Sequence, residues 1–242
     1  MSFLSLLARQ KIAVALLFGA LFCTSSQAQL VFAVSLDQGP SALMAQRVLL
    51  EAYRQLGISL RFEALPNPRI VGGVNAGSID GVDFRIANTQ LGDLQKIAVP
   101  IAYEELVVFS TGKRFKVAGY HSLQAYSIGY LSGAKIFEEK LKGMHIDAAP
   151  NLESLFNKLD AGRTDVAVDA RASYCKARKL GLNKVIILEP SLEKILAYHW
   201  LSKRHENLMP KVEGVLKKMK QDDAIRKIQE EVWQEFNAHC GA

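Results

Sequence analysis

Hydrophobic positions along this chain change period repeatedly, and each change marks an element. Residues 30–35 (LVFAVS) form an almost unbroken apolar run, the pattern of a strand covered on both faces. LDQGPS interrupts it. ALMAQRVLLEAYRQLG follows, with Leu49, Ala52, Tyr53 and Leu56 on one helical face and Gly57 at the end. That is an amphipathic helix with a glycine cap. In ISLRFEA, residues 58–64, Ile58, Leu60, Phe62 and Ala64 alternate strictly with Ser59, Arg61 and Glu63. Period two with one polar face predicts a half-exposed strand near a sheet edge. PNPR then breaks the chain, a short glycine-weakened helix runs to Ala76, and DGVDFRI reads as the next strand.

The alternation continues to the C-terminus. KIAVPI and ELVVFS are two apolar runs, the second ended by Gly112 and Lys113. AYSIGYL, MHIDAA, TDVAVD, KVIILE and ILAYHWLSK predict strands. AKIFEEKLKG, NLESLFNKLDAG and RASYCKARKLG predict helices, and two more close the chain over residues 206–220 and 222–236. Asn151 stands where a helix N-cap is needed, and Gly162 stands past that helix's end. Strands alternating with helices specify an α/β fold, an open and largely parallel sheet with crossover helices on its faces.

A repeat is superimposed on this order. NAGSIDGVDFR begins at residue 75 and DAGRTDVAVDAR at residue 160. Each is a helix end, a glycine, and a strand opening at an aspartate, so one βαβ element is expected in each of two lobes. The shared aspartates, Asp80 and Asp165, stand where turn N–H groups need an acceptor, which is a structural task.

The N-terminus has a different pattern. Arg9 and Lys11 precede an eleven-residue apolar run, residues 12–22, followed by Thr24, Ser25, Ser26, Gln27 and Ala28. A charged start, a short apolar centre and a small-residue end make a secretory signal peptide over residues 1–28. The run is shorter than the roughly 20 apolar residues of a membrane span. A lipid-anchored form through Cys23 is the weaker reading, because Phe22 is bulky where a small residue is needed. Removal of the peptide leaves 214 residues carrying a net charge of +4. That mild excess favours carboxylate-bearing ligands. It does not indicate nucleic acid, since no basic block interleaved with aromatics occurs. Cys175 and Cys240 remain in an oxidising compartment, where they are able to pair; sequence leaves their separation in space open.

In their order and spacing these motifs resemble the periplasmic solute-binding proteins that serve amino-acid importers (family 3). The likeness rests on the two Gly-x-x-Asp strand openings, on PIAYEELVVFS leading into the second lobe, on IGYLSGAKIFEEKL opening it, and on ILAYHWLSK returning to the first. It covers essentially all of the exported chain. It implies a two-lobed, type II binding-protein fold of open mixed sheets. Residues 29–111 and 194–242 would form the first lobe and 112–193 the second, with crossing segments near 109–113 and 193–198. A small-molecule ligand would sit between the lobes, at the carboxyl ends of the strands. The partner would be an inner-membrane ABC permease or, alternatively, a sensor protein. The chain is expected to be a periplasmic monomer. One departure matters: relatives carry Thr-x-x-Arg after the first of these strands, and here Gly92 follows Thr89 in the arginine's place.

Candidate contacts follow from chemistry and position. Arg85, at the end of DGVDFRI, can fork two hydrogen bonds onto a carboxylate, and its competing role is to pair with Asp83 or Asp93. Ser132 and Gly133 precede a helix whose free N–H groups suit an anion. Asp169 ends the second lobe's repeat strand, one residue short of the position where relatives hold an α-amino group, with Arg171 just beyond. Arg69 is a cation at a helix start, where it needs an anionic partner such as a ligand or Glu63. Asp37 and Gln38 follow the first strand, and Tyr103 and Tyr130 could stack on a flat ligand. His145 and His199 are isolated and read as non-functional. No metal-ligand spacing, phosphate loop, dinucleotide fingerprint or nucleophile elbow occurs, so neither cofactor nor catalysis is expected. A small dehydratase-like enzyme on the same scaffold stays as an alternative.

Overall fold

The structure is a computed structural model that describes residues 29–36, 39–86 and 92–240. The proposed signal peptide, Asp37, Gln38, and Thr89 of the departed motif lie outside the described residues. Among the described residues there are eight strands: β1 (Leu30–Val34), β2 (Leu60–Ala64), β3 (Gly81–Ile86), β4 (Leu94–Ser110), β5 (Ile128–Leu131), β6 (Ile146–Ala149), β7 (Val166–Ala170) and β8 (Ile186–Ser202). The helices are α1 (Pro40–Gln55), α2 (Asn67–Ala76), α3 (Lys135–Lys140), α4 (Leu152–Asp160), α5 (Tyr174–Lys179), α6 (Met209–Gln221) and α7 (Ala224–Cys240).

All eight strands join one sheet, in the order β2-β1-β3-β8-β4-β7-β5-β6. β1, β2 and β3 pair in parallel, and so do β5, β6 and β7. The three central pairings, β3 with β8, β8 with β4 and β4 with β7, are antiparallel. The sheet is therefore mixed at its centre, not largely parallel throughout. This topology points the carboxyl ends of the two parallel sets toward each other, along the β4/β8 pair.

Four runs read as separate strands are two continuous ones. KIAVPI and ELVVFS are both in β4, and KVIILE and ILAYHWLSK are both in β8; each strand has 17 residues. Polar Glu104–Glu105 and Pro190 resemble breaks in the sequence. In space the irregularity is absorbed as register shifts, next to Pro100 and between Leu106 and Val108, the places where a strand tolerates proline and extra residues.

Burial divides along the same pair. Phe32, Met44, Leu49, Tyr53, Ile101 and Leu216 form a core beneath α1, α6 and α7, and Ile70, Val74 and Trp200 a smaller one under α2. Val108, Ile128, Phe137 and Val168 form a second body's core against α3, with Phe109, Leu155 and Phe156 on its other side. Ala102 belongs to the first body and Leu106 to the second. β4 thus crosses ahead of the expected 109–113, because Leu106–Phe109 bury their side chains in the second body. On β8, Ile195 packs with the second body and Ala197 with the first.

The repeat has a concrete geometry. α2 and α4 each end before a glycine in the left-handed region, Gly77 with φ 80° and Gly162 with φ 69°, the conformation that terminates helices at least cost in glycine. Asp80 Oδ2 then accepts the Val31 N–H at 2.8 Å, and Asp165 Oδ2 accepts the Ser127 N–H at 2.9 Å. In both copies the aspartate fastens the start of the neighbouring parallel strand. Asn151 caps α4 by accepting the Ser154 N–H at 2.8 Å.

His199 is buried in the first body between Tyr53 Oη, 2.9 Å from Nε2, and the Val82 carbonyl, 2.7 Å from Nδ1. That pair of partners fits a neutral ring, with Nδ1 donating and Nε2 accepting. Burial pushes its pKa down to about 4. Cys175 in α5 and Cys240 at the end of α7 form a disulfide with Cα atoms 4.9 Å apart. α7 is held to the first body by Trp233, whose indole N–H donates to Tyr103 Oη at 2.9 Å, and by Gln229, which donates to the Ile101 carbonyl at 3.0 Å. Its far end is therefore joined covalently to the second body.

Candidate functional site

The converging strand ends define the site. From the first body come Leu36 just past β1, Leu65 past β2, and Arg85 and Ile86 closing β3. From the second come Ser132 and Gly133 past β5, Asn151 past β6, and Asp169 and Arg171 around the end of β7. A gap of about 320 Å³ opens where β3 ends, lined by Ile86 of the first body, Ile136 of α3 in the second, and Glu193, Lys194, Ile195, Leu196 and Tyr198 of β8. A larger groove of about 540 Å³ lies on the outer side of the first body, between α1 and β2. Its arginines are engaged with glutamates, Arg47 with Glu235 and Arg54 with Glu51, and it lies away from the strand ends.

Arg85 faces Tyr198 across the β3/β8 ladder, and Tyr198 lines the gap. The guanidinium is mostly buried, with 16% side-chain exposure. It lies 3.6 Å from the Asp83 carboxylate and donates to the Phe84 carbonyl at 2.6 Å. Asp93, the other carboxylate considered for it, pairs with Lys203 instead. Asp83 itself is fully buried. Burial pushes its carboxyl up to about 6, against the Phe84 N–H, Arg85 and Gln46, which stabilise the ionised form. Burial also lowers Arg85, and Asp83 opposes that shift. Arg85 thus has a structural duty as counter-charge to Asp83, and it stands at the end of β3 beside the gap, outside the residues that line it.

The other candidates divide. Ser132 and Gly133 are exposed at the rim. The Gly133 N–H donates to Glu138 Oε1 at 3.1 Å, so the chain's own carboxylate already occupies the start of α3. Asp169 accepts from the Ser173 hydroxyl, and burial raises its pKa. Arg69 is exposed at the start of α2; Glu63 pairs with Arg61, and no carboxylate pairs with Arg69 among the described residues. Tyr103 faces α7, bonded to Trp233, with the Lys194 ammonium 3.5 Å from its ring centroid. Arg171 is clamped by Glu105 on β4 and by Glu189 on β8, the latter at 2.9 Å. Burial works against its charge, yet Glu189 and Glu105 together raise its pKa. It therefore ties the crossing strands to the end of β7. Sequence reasoning missed Ile86, Ile136 and Leu196; no local signal marks them, because each reads as an ordinary apolar position of its element.

No helix among the described residues is long and apolar enough to cross a membrane. No group of three or more potential metal ligands occurs among them.

No protein-family model matches this chain. An uncharacterized protein of Shewanella oneidensis is 23% identical over 206 residues, which cover 81% of this chain and 78% of that protein. Solved structures share the fold at low identity. A histidine kinase sensor domain with similarity to periplasmic binding proteins has a TM-score of 0.60 at 14% identity, covering 85% of this chain and 96% of that one. The VFT2 domain of Bordetella pertussis BvgS has 0.61 at 12%, covering 84% and 92%. The arginine-binding protein ArgBP of T. maritima has 0.57 at 17%, covering 86% and 96%. The chain has the two-lobed, periplasmic-binding-protein-like α/β fold.

Proposed function

We propose that this chain is an exported solute receptor of the periplasm. It captures a small carboxylate-bearing, amino-acid-like molecule between its lobes and delivers it to an inner-membrane ABC importer, without transforming it. The lobes expected from sequence, 29–111 with 194–242 and 112–193, shift in this reading to a β4 crossing at about residue 104, so that Leu106–Ser110 belong to the second lobe. The observation that carries this reading is the convergence of two opposed sets of strand ends on one hinge pair, with the Arg85 guanidinium closing β3. Open α/β sheets bind ligands beyond their strands' carboxyl ends, and two crossing strands permit lobe closure. The low-identity likeness to an arginine-binding protein is consistent with such a ligand.

The likeness to a histidine kinase sensor domain and to BvgS VFT2 favours a second reading, in which the liganded chain reports to a signalling receptor. Genes for a permease and an ATPase beside this one would favour transport; a sensor kinase gene there would favour signalling.

The test is a thermal-shift screen of amino acids, dicarboxylates and polyamines, since a ligand bound only by the folded form raises the midpoint. Arg85 has to be examined in a background that does not need its charge. Asp83→Asn supplies that background. An anionic ligand should still shift the single variant and should lose its effect on Asp83→Asn/Arg85→Gln. An undiminished shift in the double variant would reduce Arg85 to a structural counter-charge.

A further inference from the structure

We infer that the captured acid carries an apolar side group, branched aliphatic or a single aromatic ring, which lodges between the lobes against Ile86, Ile136 and Leu196. This rests on the reading of the interlobe gap as the ligand site and names the ligand class for it.

Two features support it, and the first is where apolar surface is left in water. Among the described residues five large hydrophobic side chains are exposed: Leu36, Leu50, Ile86, Ile146 and Leu196. Two of them stand at the crossing: Ile86, 50% exposed, ends β3, and Leu196, 43% exposed, lies on β8 where the bodies meet. Ile86 and Leu196 open into the same gap, and Ile136 reaches it from the second body. Clustered exposed apolar side chains facing a concavity mark a surface that something covers.

The second feature is the state of the polar groups in that gap. Glu193 accepts from Tyr120 Oη at 3.0 Å and lies 4.0 Å from Lys140. Lys194 sits over the Tyr103 ring and 3.9 Å from Glu105. Both charges are engaged within the protein, while the wall beside them is aliphatic apart from Tyr198, whose ring centroid lies 4.8 Å from the Lys96 ammonium. Reading a polar side group requires polar partners aimed at it; an apolar group requires only the aliphatic wall. A volume of about 320 Å³ is at the small end of the usual 300–1,000 Å³ of ligand pockets, which suits a small acid and not an extended ligand.

Isothermal titration of the exported protein with L-leucine and L-phenylalanine, against L-serine, L-aspartate and L-arginine, tests this. The expected result is binding of at least one apolar probe about tenfold or more tighter than all three polar ones, the size of discrimination an apolar pocket supplies. Ile136→Asn and Leu196→Asn, both at partly open positions, should each erase that preference while the fold persists by circular dichroism. If a polar probe binds as tightly, or if both variants weaken every probe equally, the apolar wall serves lobe closure and the inference fails with the receptor reading intact. If no probe of either class binds, both fall.

Discussion

Replacing Cys175 and Cys240 with serine removes the only covalent connection between the bodies besides the main chain among the described residues. The cysteines are 65 residues apart in sequence, and the loop they close contains β8, α6 and most of α7. In the chain-entropy account, freeing a loop of that length in the unfolded state costs about 4 kcal/mol of stability. For a chain of this size each kcal/mol moves the melting midpoint by about 2–4 °C. The double variant should therefore melt roughly 10 °C below the oxidised protein. A reductant should lower the oxidised protein's midpoint similarly and leave the variant's unchanged. Scanning calorimetry with and without dithiothreitol reads both. The opposing view is that α7 is already secured by Trp233, Gln229 and its contact with α1, so that the bond only pins a helix end. In that case the shift would stay under about 2 °C, and the reasoning from loop closure would be refuted.

Other outcomes follow from the same geometry. His199 is held neutral with its pKa near 4, below the ordinary 6.5, so its contribution is present above pH 6.5 and is lost as pH falls toward 4. Asp83 has its pKa raised to about 6 from an ordinary 3.8, so its contribution is present below 3.8 and is lost as pH rises through 6. The two slopes oppose each other, and urea melts between pH 4 and 6 should be nearly flat. In Asp83→Asn stability should climb by up to about 1.4 kcal/mol per pH unit over that window; a flat profile there would contradict the His199 assignment. Arg171→Ala should lower stability by about 1–3 kcal/mol, since it removes Glu105's hydrogen-bonded cation at the crossing and leaves it only Lys194, 3.9 Å away; Glu105→Gln added to it should recover part of the loss in the urea midpoint. Gly162→Ala should cost about 1 kcal/mol, the penalty for a left-handed alanine at an open site. Gly77→Ala should cost more, because its Cβ would meet Arg204 Nη1 at 2.7 Å, and that guanidinium donates to the Gly77 and Ile79 carbonyls. Equal losses at the two glycines would remove that distinction.

Local pattern carried much of the fold. Strict alternation in residues 58–64 found β2, the apolar face ending at Gly57 found α1, and Asn151 announced its own cap. The twofold motif was legible because both copies solve the same problem: a left-handed glycine ends a helix, and an aspartate receives the neighbouring strand's first N–H. The crossing strands were read as fragments, because Glu104, Glu105 and Pro190 look like interruptions until their partners are seen. Those partners are distant: Arg171 meets Glu105 across 66 residues, and Ser41 donates to Glu104 across 63. The site suffers the same limit. Arg85 could be picked out from its strand as a candidate only, and the burial of Asp83 beside it depends on α1 and β8. The gap formed by Ile86, Ile136 and Leu196 exists only once the topology brings β3, α3 and β8 together.

The account stands most directly on a crystal structure of residues 29–242 grown with the tightest-binding probe acid. It predicts electron density between the bodies, with the carboxylate within hydrogen-bond reach of Arg85 and the side group among Ile86, Ile136 and Leu196. Ligand density anywhere else, or bodies packed face to face with no room between β3 and α3, would contradict it.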